Sequence, residues 1–189
     1  MELPRGWSPD GSSLLYVSIG TNTNTGDDLW VLPMTAADDE TRPAPTPYLR
    51  TEFNERDGQF SPDGRWVAYM SDESGRFEIY AAPFPNATGK VQVSAGGGEY
   101  PLWRADGKEI FYRTGDGVIM AADVEAAGER FRAGAPRRLF QVSMPAEVGY
   151  RRKYGVTADG KKFLVIELAE SEAKPVIMLD SNWPVRLRE

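Results

Sequence analysis

The 189-residue chain contains no cysteine and no histidine. Without cysteine there are no disulfides, no thiolate zinc sites and no cysteine nucleophile. Without histidine the usual general base and metal ligand are gone, and with them any Ser-His-Asp triad. Basic charge is short as well. With 22 Lys and Arg against 28 Asp and Glu, the net charge of -6 argues against nucleic acid as a partner. No apolar run approaches the roughly 20 residues of a membrane span, which argues against insertion into a bilayer. No basic and apolar leader opens the chain, so no signal peptide is visible. Met1 runs straight into structured-looking sequence and reads as a start inside a larger gene.

What is present is enough apolar residue for a core and much turn chemistry. The chain is 41% hydrophobic and 26% charged, which separates it from disordered tails. It carries 19 Gly and 14 Pro and shows no helical periodicity, which points to short strands joined by turns.

Self-similarity is the strongest signal. Four segments align on one Asp-Gly pair: Trp7-Ser-Pro-Asp10-Gly11, Phe60-Ser-Pro-Asp63-Gly64, Trp103-Arg-Ala-Asp106-Gly107 and Val156-Thr-Ala-Asp159-Gly160. The glycines are 53, 43 and 53 residues apart, a period that suits a four-stranded unit with variable loops. Asp-Gly is a favoured hairpin turn because Gly accepts positive φ and Asp bonds nearby backbone. A strand-like run follows each pair, at residues 14–18, 66–70, 109–113 and 162–166, with Tyr16, Tyr69, Tyr112 and Val165 in register. Third strands are expected at 28–32, 77–81, 118–122 and 175–179. Fourth strands are expected at 47–51, 91–94 and 138–142, with 182–186 confined to an edge by Pro184. Radial repetition of such sheets makes an all-β propeller of four recognisable four-stranded blades.

At these residues the chain resembles the TolB-like, WD-type β-propeller repeat, whose hallmark is an aromatic followed by Ser-Pro-Asp-Gly and a strand. Residues 51–55, 58–69, 71–78 and 96–99, Trp103 and the closing Asn182-Trp183 are similar to the propeller C-terminal to some bacterial serine/threonine protein kinases. Ala105 and Ala158 depart from the Ser-Pro form. No Gly-rich kinase loop, His-Arg-Asp or Asp-Phe-Gly sequence is present. The resemblance implies one domain over 1–189, with blades at about 5–51, 58–95, 101–142 and 154–187. It also implies a non-catalytic protein-interaction or sensing module of a larger bacterial protein, in an extracytoplasmic or periplasmic setting. Three closures are open: a tight four-blade ring, a homodimer forming one larger ring, or further blades upstream.

In a propeller the loops from the outermost strand to the next innermost strand crowd one face. Here they are residues 51–59, 95–101 and 143–153, beside the loops at 20–28, 72–76, 115–117 and 169–174. They offer Glu52, Asn54, Glu55, Arg56, Glu99, Tyr100, Glu147, Tyr150, Arg151 and Arg152 as the candidate binding set. Mixed charge with Tyr and Arg suits a protein or peptide partner; the plainer reading is solvated loop tips and inter-blade ion pairs. The turn residues Asp10, Asp63, Asp106 and Asp159 are explained by their turns. No metal site and no cofactor is expected.

Two alternatives stand beside the interaction module. Ser171 and Lys174 match a Ser-x-x-Lys pattern, which would make a weak, esterase-like hydrolase, although the pair lies in a polar turn. Trp30, Trp66, Trp103 and Trp183 would serve a carbohydrate-binding module, although each falls in or at a strand with apolar neighbours. The expectation is therefore no enzyme.

Overall fold

Four turns organise the chain, and they share one geometry. In the computed structural model, which describes residues 1–20, 25–34, 43–128, 130–142, 154–166 and 177–180, the glycines Gly11, Gly64, Gly107 and Gly160 have φ of 71°, 72°, 72° and 72°. In each turn the glycine N–H donates to the carbonyl three residues earlier, at Ser8, Ser61, Arg104 and Thr157, over 2.9 Å. The Asp carboxylate accepts from that same residue's side chain. It accepts also from the backbone N–H of Ser12, Arg65, Lys108 or Lys161. The bonds from Ser8 and Ser12 hold the Asp10 carboxyl down at about 2. These carboxylates are occupied by the turns that they build.

Each turn joins two strands of an antiparallel sheet that meanders outward. The first sheet contains β1 (Glu2–Trp7), β2 (Ser13–Ser18), β3 (Asp28–Pro33) and β4 (Thr46–Leu49) in that order. The second contains β5 (Glu55–Phe60), β6 (Trp66–Ser71), β7 (Glu78–Pro83) and β8 (Val91–Gln92). The third has β9 (Glu99–Trp103), β10 (Glu109–Arg113) and β11 (Val118–Ala127). The first half of β11 pairs with β13 (Arg137–Gln141) and the second half with β12 (Arg130–Ala133). In the fourth, β14 (Tyr154–Val156), β15 (Phe163–Ile166) and β16 (Ile177–Asp180) are described. The expected edge strand at 182–186 lies outside the described residues. No helix occurs among the described residues.

The core lies between sheets, and the two-residue period of a strand explains how. In β6, Val67 and Tyr69 face the first sheet, where they join Leu15, Val17, Leu29 and Val31. Trp66, Ala68 and Met70 point the other way, to Ile110, Tyr112, Ala122 and Val124 of the third sheet. Every residue of β6 is therefore buried, and the strand reads as one apolar run rather than an alternation. Phe111 of β10 faces the fourth sheet, where its ring meets Phe163 edge-on at 5.2 Å. Each large apolar side chain buried in these seams stabilises the stack by roughly 1.5–3 kcal/mol.

Among the described residues, the two outer sheets lack such cover on one side. In β15, Phe163 and Val165 are buried against the third sheet, whereas Leu164 and Ile166 are 45% and 42% exposed. At the other end Trp7 is 55% exposed. Its counterparts behave differently. Phe60 packs on the seam between the first two sheets, and Trp103 packs into the next seam while its indole N–H donates to the Gln59 carbonyl at 3.1 Å. Among the described residues no core cluster joins the fourth sheet to the first. The fold is an all-β propeller stack of four blades.

Candidate functional site

Among the described residues, the loops at 25–28, 51–55 and 72–76 meet, while those at 143–153 and 169–174 lie outside the described residues. The segment entering β5 lies on the loop that precedes β3: the Glu55 N–H donates to the Asp27 carbonyl at 2.6 Å, and Gly26 N–H to Thr51 at 3.3 Å. A Cβ on Gly26 would stand 2.2 Å from the Phe53 carbonyl oxygen, so only glycine permits this approach. Asn54 ties three loops together. Its side-chain oxygen accepts from the Asp27 N–H, while its own N–H and side-chain amide donate to Asp72 at 2.9 and 2.6 Å. Arg56 pairs with Asp27 at 2.6 Å and lies over the Phe77 ring at 5.3 Å.

The same arrangement recurs one blade on. Glu78, buried at the start of β7, accepts from Ser94 Oγ, from Arg76 Nε at 2.8 Å and from the Gly97 N–H at 2.8 Å. Burial pushes its carboxyl up, but these three donors together outweigh burial and hold it low. Glu99 pairs with Arg113, whose guanidinium lies 5.2 Å from the centre of the Tyr100 ring. The Tyr100 carbonyl accepts from Tyr154 of the fourth blade at 2.6 Å.

The innermost strands carry a feature that local sequence reading missed. Asp57 and Tyr100 both have left-handed backbones, with φ of 51° and 56°. Both fall at a register shift between the two inner strands, and both stand six residues before the turn aspartate. The kink re-aims the strand start toward the loop face. Asp57 uses it to reach Arg5 of the first blade at 3.4 Å. That shared offset was the available signal. Asp27, Asp72 and Arg113, also outside the expected set, hold its members in place.

Of that set, Glu52 is exposed, Asn54, Arg56 and Glu99 are half-buried, and Glu55 and Tyr100 are 1% and 3% exposed. The last two therefore lie beneath the face and support it rather than touch a partner. Spacing placed them in loops; the register shift and the inter-blade bonds draw them inward. Glu147, Tyr150, Arg151, Arg152, Ser171 and Lys174 lie outside the described residues.

What the face offers to solvent is a shallow groove of about 600 Å³ between the second and third blades. Phe77, Met120 and the backbone of Gly96, Gly97 and Gly98 form its floor and wall. Arg76, Glu99, Asp116 and Arg138 supply charge of both signs. Gly96 and Gly97 have φ of 89° and 110°, which lets the backbone turn outward here without a side chain in the way.

No protein-family model matches the chain, and no curated protein does. Solved structures share its fold. A TolB-type protein from Agrobacterium tumefaciens is 18% identical, with a TM-score of 0.54 over 70% of this chain and 48% of that one. An oligogalacturonate lyase in complex with manganese is 16% identical, with a TM-score of 0.62 over 95% and 48%. A chain of a nidogen/laminin complex is 14% identical, with a TM-score of 0.53 over 89% and 57%. The chain thus spans about half the length of these proteins.

These likenesses correct one expectation. The absence of His, Cys and hydrolase motifs and the resemblance to interaction propellers predict a non-catalytic module and no enzyme. The solved structures that share its fold include the lyase and other enzymes, lactonases and a puromycin hydrolase among them. The resemblance therefore does not support a non-enzymatic assignment, because one fold can carry catalytic and binding faces alike. At these identities the comparison carries fold alone, and the chain is, in fold, a TolB-like β-propeller.

Proposed function

We propose that this chain is a half-ring that pairs head-to-tail with a second copy, and that the completed ring presents its loop face to a protein or peptide partner. The observation that carries the reading is the exposure of Trp7 at one end of the stack and of Leu164 and Ile166 at the other. Equivalent positions within the stack are covered by the next blade, so each end face is of the kind that another blade of the same repeat covers. The groove beside Arg76 and Arg138 supports the choice of partner. Its loops are tied down by Glu78 and Asn54, so little ordering entropy is lost on binding.

Light scattering across a roughly hundredfold dilution tests the pairing. A mass of twice the 21.0 kDa chain that persists at low concentration is expected. A mass of one chain throughout overturns the reading.

A further inference from the structure

Glu55 is a buried acid in the seam between the first two blades, directly under the loop face. Its Oε1 accepts from Thr51 Oγ1, while its Oε2 has no hydrogen-bond partner among the described residues. The same holds for Asp28 Oδ1 and the Tyr69 hydroxyl, both buried in that seam. Facing Glu55 are Asp28 from β3, Tyr69 from β6 and Glu73 from the loop after β6, with Tyr48 of β4 near Tyr69. The cations of the region are engaged: Arg56 with Asp27, Arg50 with Asp28 at 3.7 Å, and Arg5 of β1 with Asp57. From β9, Glu99 is held by Arg113. An ionised Glu55 would thus be a second carboxylate beside Asp28, in a seam where Gly26 already touches the neighbouring backbone.

We propose that Glu55 is a proton-operated latch for the 51–55 loop: neutral, it lets the loop seat against the first blade, and ionised, it drives the loop away and loosens the recognition face. Burial, with Asp28 and Glu73 adding to it, raises the Glu55 carboxyl to about 7 despite the Thr51 bond. The seated loop therefore keeps a proton that the open loop, with an ordinary Glu value of about 4.3, has already released. Between those two values the open population rises by up to about tenfold per pH unit, and above pH 7 it levels off.

Carboxyl carbon NMR of the full chain reads the titration directly. One glutamate with a midpoint near 7 is expected, absent from the Glu55→Gln chain, and Thr51→Val moves it higher by removing the donor to the ionised form. Amide exchange of Gly26 and Glu55, corrected for intrinsic base catalysis, should accelerate from about pH 5 to 7 in the wild type and stay flat in Glu55→Gln. A Glu55 carboxyl titrating below pH 5, or protection independent of pH in the wild type, overturns the latch. The wild-type titration decides the matter even where Glu55→Gln fails to fold.

Discussion

Trp103 and Trp7 stand at the same place in the repeat, three residues before the turn aspartate, and they have opposite surroundings. Trp103 is packed in a seam and its indole N–H is bonded to Gln59. Trp7 is 55% exposed. The turns beneath them have φ of 71° and 72° and the same backbone hydrogen bond from the glycine N–H. The difference is therefore not local. It is set by whether another blade stands in front: the interior of the stack is covered, and Trp7, Leu164 and Ile166 at its ends are exposed.

Substitutions break or sharpen this contrast. The largest loss is expected in the interior. Phe111→Ala empties a fully buried position against Phe163, and should lower unfolding stability in denaturant by about 3–5 kcal/mol. Trp103→Ala gives up seam packing and one hydrogen bond, and should cost about 2–4 kcal/mol. Trp7→Ala should leave the single chain within about 1 kcal/mol, because an exposed ring has little packing to lose. Equal losses for the two tryptophans would erase the distinction between interior and end.

The turns give the smallest contrast. Gly64→Ala and Gly11→Ala both force a Cβ onto a left-handed residue, and each should cost about 1–2 kcal/mol. A Cβ on Gly64 also comes within 3.3 Å of Pro9 in the first blade, while one on Gly11 meets nothing within 4 Å. Gly64→Ala should therefore be the worse of the two in paired thermal melts, by the cost of shifting Pro9.

What was legible in the sequence follows the same division. The four turns and most strands are local events, and Asp-Gly with a following apolar run was enough to find them. The third blade's β12 was not legible, because β11 continues past its expected end at Ala122 to Ala127 and pairs with a second strand there. The left-handed backbones of Asp57 and Tyr100 left only their shared offset from the turn aspartate as a trace, since neither is glycine and the kink depends on two strands slipping register. Burial of Glu55 depends on Asp27 and Asp28 of a different blade, and spacing within a loop carries no trace of that. The candidate site was thus legible as a set of loops, and illegible as to which residues lie on its surface.

The exposed ends are proposed as interfaces between copies. The most direct test is the solution mass of Trp7→Glu beside the wild type, at one concentration and with unfolding measured on both. If the ends pair copy to copy, the wild type is a dimer and Trp7→Glu a monomer of unchanged stability. A wild-type monomer, or a Trp7→Glu dimer as firm as the wild type, would contradict it.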